Sequence, residues 1–230
     1  MPPRKAVGAA GRLLAATVAL AALVPAVAVA DATGPCHCYR DRSFDPARPR
    51  AADPYILAST RSSLLSAAFG PSKRELVEAV MTGTSPDDLW IAYWVAARSG
   101  RQAASLLGAK DAKKSWKAVL GPADGLGRTF EEAIARGSPD GDLAALAVDD
   151  VLGSRAGVDP GAVAALRKMG ATTSEVILAA VLASRIQTTP TTVLAPVKSG
   201  NVTWGEVLQG LGLTPKTVDD VVRQIVSGRK

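Results

Sequence analysis

The residues that carry most enzymatic chemistry are scarce in this sequence. Its 230 residues include one histidine and two cysteines, and aromatic residues make up 4% of the chain. The sequence contains no Gly-x-Ser-x-Gly, His-Glu-x-x-His or phosphate-loop motif, so it offers no support for the hydrolase, metalloprotease or nucleotide-binding classes. With a single histidine, general-base catalysis would fall to an unidentified carboxylate. The sequence therefore favours a non-enzymatic protein and assigns no catalytic residue.

Long apolar runs are also rare, and the one at the N-terminus is typical of a secretory signal. Three basic residues accompany the apolar run Leu13–Val24, and Ala28-Val29-Ala30 places small residues before the expected cleavage point. The run is shorter than the roughly 20 residues that span a bilayer. We therefore expect cleavage after Ala30, export to the periplasm or the medium, and no transmembrane span in the mature chain. Retention of the leader as an anchor is the alternative.

The excess of positive charge is small. The formal net charge is +6, and the leader holds three basic residues and no acid, which leaves +3 for the mature chain. Residues 203–225 resemble a helix-turn-helix, but Asp219 and Asp220 would face phosphates of like charge on the second helix, and Leu208 stands where a small residue is usual. We therefore predict no nucleic-acid partner and interpret this stretch as a structural αα-corner.

Glycine and proline recur in the mature chain at positions that are typical of helix ends. Capping residues precede proline at Ser85-Pro86 and Thr189-Pro190, for example, and Ser72 with Glu75 forms a capping box. Glycines such as Gly100 follow segments with helical apolar spacing, and no segment reads as a strand. The sequence therefore predicts an all-α protein built as an array of short helices.

The sequence also repeats itself at a shift of about 87 residues. At this shift Gly70 falls on Gly157, and after one inserted residue Trp116 falls on Trp204. Matches of this kind in one register predict a tandem duplication, with five or six short helices in each copy. Neither copy is expected to be stable alone, because stacked helical units bury faces that each would expose in isolation.

The predicted organisation has four parts, and each copy contains one helix that is apolar on nearly all sides. These helices, residues 87–98 and 174–185, are expected in the middle of the array, because a helix without a polar face must be surrounded by others. The four parts are a signal peptide (1–30), a Cys-His-Cys segment with an extended strap (31–53), copy one (54–140) and copy two (141–230).

Both cysteines and the histidine are adjacent in Cys36-His37-Cys38. In an exported protein the cysteines favour a structural disulfide, within one chain or between two chains as a disulfide-linked oligomer. A bond between Cys36 and Cys38 would close a tight ring that is easily reduced, which suits thiol exchange. The two thiolates could also bind a metal, although structural zinc normally draws its ligands from two separated pairs. Thiol-redox or metal handling therefore remains the alternative to fastening.

Residues 39–53 lie outside the repeat and form part of a distinctive run, residues 35–58. The run PCHCYRDRSFDPARPRAADPYILA resembles exported bacterial proteins of unassigned function that share a Cys-His-Cys-aromatic start, an Asp-Arg-Ser sequence and an Ala-Asp-Pro-Tyr helix entry. The resemblance implies membership of such a group and carries no activity with it. We expect this strap to lie across copy one with Tyr39, Phe44 and Pro46 as anchors, although its composition also fits a disordered linker.

The first apolar helix differs from its counterpart by an aromatic face. Trp90, Tyr93 and Trp94 share one side of that helix, whereas the corresponding residues of copy two are aliphatic. Aromatic residues at helical spacing usually belong to a core. The functional alternative is a groove in copy one that presents ring faces to an apolar or sugar ligand.

Basic residues also concentrate in copy one, around the helix that follows. Such a patch could bind an anionic surface or an acidic envelope protein, although a solvated helix face is the usual explanation. The residues are Arg98, Arg101, Lys110, Lys113, Lys114 and Lys117.

Together these features predict an exported helical repeat protein that binds or scaffolds another envelope component. The predicted surface extends from the strap across copy one, through the aromatic face and the basic residues. The alternatives are a thiol-redox or metal-handling protein and a carrier of an apolar or sugar ligand.

Overall fold

A computed structural model describes Met1, residues 41–123 and residues 125–228. All regular secondary structure in these residues is helical, which confirms the predicted all-α class. None of the helices in this part of the chain combines the length and the apolar character needed to cross a bilayer. The helices are α1 (Asp53–Phe69), α2 (Lys73–Met81), α3 (Pro86–Ser99), α4 (Ala103–Lys113), α5 (Trp116–Leu120), α6 (Arg128–Arg136), α7 (Asp140–Ser154), α8 (Pro160–Lys168), α9 (Thr173–Ile186), α10 (Pro190–Lys198), α11 (Trp204–Gly210) and α12 (Pro215–Ser227).

Local capping chemistry accounts for most of the helix bounds. The hydroxyl of Ser72 accepts a hydrogen bond from the amide of Glu75 at 3.2 Å, and the Glu75 carboxylate accepts one from the Ser72 amide at 2.7 Å. This capping box satisfies two amides that α2 leaves unpaired at its start. Gly100 ends α3 in the left-handed conformation, with φ of 70°, which glycine adopts without steric cost.

The helix bounds recur at the offset that the sequence suggested. Shifting α2 and α3 by 87 residues reproduces the bounds of α8 and α9, and α5 and α11 begin 88 residues apart. We call α1–α6 the first half and α7–α12 the second half. The tandem duplication remains our interpretation of this recurrence.

The two apolar helices differ in how completely they are buried. In α9 every residue from Thr173 to Ala183 is buried. In α3 the buried residues include Leu89, Trp90 and Trp94, while Tyr93 is half-buried and the last turn is exposed. The second half therefore supplies the helix that is enclosed on all sides, and α3 lies nearer the surface.

The described part of the strap reaches further than the sequence suggested. Residues 41–52 form turns, and the segment reaches the second half: the Phe44 ring lies against Gly205 of α11, and Arg50 Nη2 donates to the carbonyl of Gly200 at 3.4 Å. It also touches the start of α1, where the Arg42 guanidinium lies 5.6 Å from the centre of the Tyr55 ring. The described part of the strap therefore contacts the second half as well as α1, and not copy one alone; Tyr39 lies outside the described residues.

Candidate functional site

The Cys-His-Cys cluster precedes the part of the chain that the structure describes. Cys36, His37 and Cys38 all fall before residue 41, so their disulfide, thiol or metal chemistry remains a prediction. Within the described residues, no group of three or more His, Cys, Asp or Glu side chains is arranged to hold a metal ion.

The aromatic face of α3 belongs to the core. Trp90 is 1% exposed and meets Phe69 edge to face, with ring centres 6.1 Å apart. Trp94 is 4% exposed, packs on Phe130 at 4.5 Å, and donates from Nε1 to the Asp150 carboxylate at 3.0 Å. Trp90 and Trp94 were therefore wrongly assigned to a binding surface, because the protein itself covers both rings.

Two of the predicted basic residues are used to join helices. Arg98 lies 4.4 Å from the centre of the Trp94 ring and pairs with Asp150 at 2.6 Å. Lys110 pairs with Asp140 at 2.7 Å and with Asp88 at 3.4 Å. Because its side chain is only 12% exposed, Lys110 cannot serve as an outward-facing cation.

The other four basic residues are exposed, and two of them bind backbone carbonyls. Lys113 Nζ donates to the carbonyl of Ala118 at 3.0 Å, and Lys117 Nζ donates to that of Ala135 at 2.7 Å. Both carbonyls lie near helix C-termini, where a lysine satisfies an unpaired acceptor. Arg101 and Lys114 are exposed and form no ion pair with other described residues. All four side chains are exposed and keep their charge at the surface, so the anionic-surface site stays a prediction.

The ion pairs around Lys110 form a partly buried polar cluster between the halves. Burial raises the pKa of Asp88, while the hydrogen bond from Trp116 Nε1 at 2.6 Å and the charge of Lys110 oppose this effect. Burial lowers the pKa of Lys110, but its hydrogen bond to Asp140 and the charge of Asp88 outweigh burial, so that the pKa is raised. The cluster connects α3, α4, α5 and α7 and is therefore structural.

The two corresponding tryptophans differ in their hydrogen bonds, which leads to a testable difference in stability. Trp116 donates to Asp88, whereas the indole nitrogen of Trp204 is buried without a partner among the described residues. We expect Trp116→Phe to lower the free energy of unfolding by about 2 kcal/mol more than Trp204→Phe, because only the first change removes a hydrogen bond to a partly buried carboxylate. Urea unfolding of both variants measures the difference, and equal losses would show that the Asp88 contact contributes little.

A small cavity lies at the corner between α11 and α12, beside Ser43 and Phe44 of the strap. Its volume is about 200 Å³. Its floor is apolar and includes the buried residues Ile56 and Leu208, which are 1% and 2% exposed. The lining residues are Ser43, Phe44, Ile56, Gly205, Leu208, Gln209, Leu213, Thr214 and Pro215. We call this cavity the corner pocket.

The wall of the corner pocket depends on Gly205. A Cβ atom at this position would lie 2.7 Å from Phe44 Cδ2, so only glycine lets the ring approach α11 this closely. The amide of Gly205 also donates to the Asp53 carboxylate at 2.9 Å, which ties the start of α11 to the start of α1. Burial raises the pKa of Asp53, and its hydrogen bonds to the amides of Gly205 and Trp204 act against this effect.

The corresponding corner of the first half is built differently in the residues that the structure describes. The connection between α5 and α6 spans residues 121–127, whereas that between α11 and α12 spans residues 211–214. Ala123 and Leu126 of the longer connection are buried, and thus the first corner packs its own apolar side chains. The position that corresponds to Gly205 is Lys117.

Sequence reasoning missed the corner pocket, although one signal pointed to it. Glycine inside a helix costs about 1 kcal/mol relative to alanine and often marks a close approach. Gly205 is the second residue of α11, shortly after the Thr203 cap, and the other half has lysine at the corresponding position, so the difference between the copies was visible in the sequence.

Searches of protein-family models, curated proteins and solved structures find no match to this chain.

Proposed function

We propose that this protein is an exported, non-enzymatic binding or scaffolding module that holds another envelope protein through the corner pocket. The observation that carries the proposal is a preformed cavity with an apolar floor and the polar groups of Ser43, Gln209 and Thr214 at its lining. Such a cavity suits a residue of the partner whose apolar side chain contacts the floor while the polar rim forms hydrogen bonds with its backbone.

The size of the pocket favours a protein partner over a free ligand. Sites for small molecules usually measure about 300–1,000 Å³, and the corner pocket has about 200 Å³. A cavity of this size accommodates one anchoring side chain, and interfaces often concentrate their binding energy in such an anchor. We therefore favour a protein partner over a sugar or an apolar ligand, because the aromatic groove for such a ligand would need the rings of Trp90 and Trp94, which are buried.

The pocket is also held in shape before any partner arrives. Asp53 fixes the start of α11 to α1, and the Arg48 guanidinium braces the N-terminal segment through Asp41 at 2.7 Å and Asp45 at 3.2 Å. A preformed site binds more tightly, because less conformational entropy is lost on association.

Site-specific photocrosslinking tests the proposal in cells that export the full chain. A benzophenone amino acid replaces Gln209, which is exposed at the pocket, and in a second strain replaces Ala118, which is exposed on α5. We expect one discrete protein adduct from position 209 and none from position 118. Filling the pocket by Leu213→Trp should reduce the adduct at least about tenfold, the loss expected when one anchor contact is removed.

The same assay separates this proposal from the thiol or metal alternative. A variant with both Cys36→Ser and Cys38→Ser should keep the adduct at position 209 if the pocket carries binding. Loss of the adduct in that variant, with Leu213→Trp having no effect, would contradict the proposal and favour chemistry at Cys36, His37 and Cys38. Equal adducts from positions 209 and 118 would also contradict it.

A further inference from the structure

The two halves contact each other in a reciprocal pattern. Helix α1 of the first half packs on α9 of the second half, and α7 of the second half packs on α3 of the first. In the same way, α12 packs on α1 and α6 packs on α7. At the offset of about 87 residues, α1 corresponds to α7, α3 to α9 and α6 to α12. The contact of α1 with α9 is therefore the counterpart of that of α7 with α3, and the contact of α12 with α1 is the counterpart of that of α6 with α7.

Corresponding carboxylates reinforce the pattern. Asp53 and Asp140 are the first residues of α1 and α7, 87 positions apart. Asp53 accepts from the amide of Gly205 at 2.9 Å, and Asp140 accepts from Lys110 Nζ at 2.7 Å. Each carboxylate therefore reaches from the first helix of its own half to a helix of the other half.

Further polar contacts cross between the halves on the helix pairs just named. On α7, Asp150 accepts from Trp94 Nε1 at 3.0 Å and from Arg98 at 2.6 Å. On α12, Asp219 pairs with Lys73 at 2.7 Å and accepts a hydrogen bond from Ser63. The Trp94–Asp150 hydrogen bond and the Asp219 contacts are partly buried, where charged contacts are screened less than at an open surface, whereas the Arg98–Asp150 pair is exposed.

Each half also keeps one ion pair of the same design within itself. Asp88 pairs with Lys110 at 3.4 Å in the first half, and Glu175 pairs with Lys198 at 2.8 Å in the second. The acids are 87 residues apart and the lysines 88. The two halves thus share this internal ion pair as well as the pattern of helix contacts between them.

We infer that the protein is a covalently joined pseudo-dimer, in which two six-helix units recognise each other through a reciprocal interface. The first helix of each unit lies against the central helix of the other, so neither unit closes its core alone. The partner that this interface fits is a second unit of the same kind. The corner pocket lies where the two units differ, which explains why it occurs on the second half.

Cutting the connection between the halves tests the inference on the full chain. A specific-protease site is inserted between Ser138 and Pro139, in the short link between α6 and α7, and the folded protein is then cleaved. We expect both fragments to elute as one particle with an unchanged helical circular-dichroism spectrum. Separation into two folded species would overturn the inference, because each half would then hold its own core.

Two substitutions provide the matched comparison. Asp150→Ala removes a contact between the halves and should weaken association of the cleaved fragments by about tenfold or more, the effect of losing a charged hydrogen bond. Arg74→Ala breaks an exposed pair with Glu78 inside α2 and should leave association unchanged. Equal effects of the two substitutions would overturn the inference.

The uncut chain offers a readout that does not depend on the insertion being tolerated. Asp150→Ala should lower the urea midpoint while unfolding remains a single transition by fluorescence and circular dichroism. Two separate transitions, in the variant or in the parent chain, would contradict a shared core.

Discussion

Replacing Trp90 with alanine is expected to lower the free energy of unfolding by about 3–5 kcal/mol. Trp90 is 1% exposed, and the ring contacts Phe69 edge to face, so its removal leaves a large cavity that the surrounding helices cannot fill. Chemical denaturation of the purified protein measures the loss. We expect the effect to rank among the largest for a single substitution, because most substitutions cost far less.

Tyr93 provides the control for this prediction within the same helix. Its side chain is only half-buried, so Tyr93→Ala should cost clearly less than Trp90→Ala. If Trp90→Ala left stability unchanged while abolishing the adduct at position 209, the core assignment would be wrong and a binding role for the aromatic face would be restored.

Gly205→Val is expected to displace Phe44 and to open the corner pocket. The Cβ atom of the added side chain would lie 2.7 Å from Phe44 Cδ2, which is closer than two carbon atoms can approach without one of them moving. Overpacking of this kind typically costs about 1–3 kcal/mol. The strain falls on the strap that contains Phe44, so this segment should open more often. Trypsin should therefore cut after Arg50 about tenfold faster for each 1.4 kcal/mol that the segment loses in local stability.

Gly210 is the matched control at the other end of the same helix. A Cβ atom at Gly210 meets nothing within 4 Å, so Gly210→Ala should be neutral or stabilising by up to about 1 kcal/mol. Gly205→Val with unchanged trypsin sensitivity and an unchanged adduct at position 209 would show that Phe44 does not form the pocket wall.

The local features of the fold were predictable because their causes lie within a few residues of each other. The capping box of Ser72 and Glu75 and the glycine that ends α3 depend only on neighbouring backbone groups. The all-α class follows from the same signals repeated along the chain. The recurrence of helix bounds was foreshadowed by matches such as Trp116 with Trp204.

The roles of the charged residues could not be predicted in the same way. Arg98 and Lys110 looked like members of a basic patch, because their acidic partners, Asp150 and Asp140, lie far along the chain in the other half. A count of charges within one stretch does not include such partners. The same limitation affects any charged residue whose pairing depends on tertiary packing.

The corner pocket was hidden for a related reason. Phe44 and Gly205 are separated by most of the chain, and only packing of α11 beside α1 brings them together. The sequence identified Phe44 as an anchor but placed it on copy one alone. For the aromatic face of α3, the general expectation that aromatic residues at helical spacing belong to the core is correct for Trp90 and Trp94.

Amide hydrogen exchange of the unmodified chain at increasing denaturant tests the shared core most directly. We predict that the amides of α1, α3, α7 and α9 lose protection together, at one denaturant concentration, because each half completes the core of the other. If the amides of α1–α6 lost protection while those of α7–α12 kept it, or the reverse, the two halves would be independent units and the account would be contradicted.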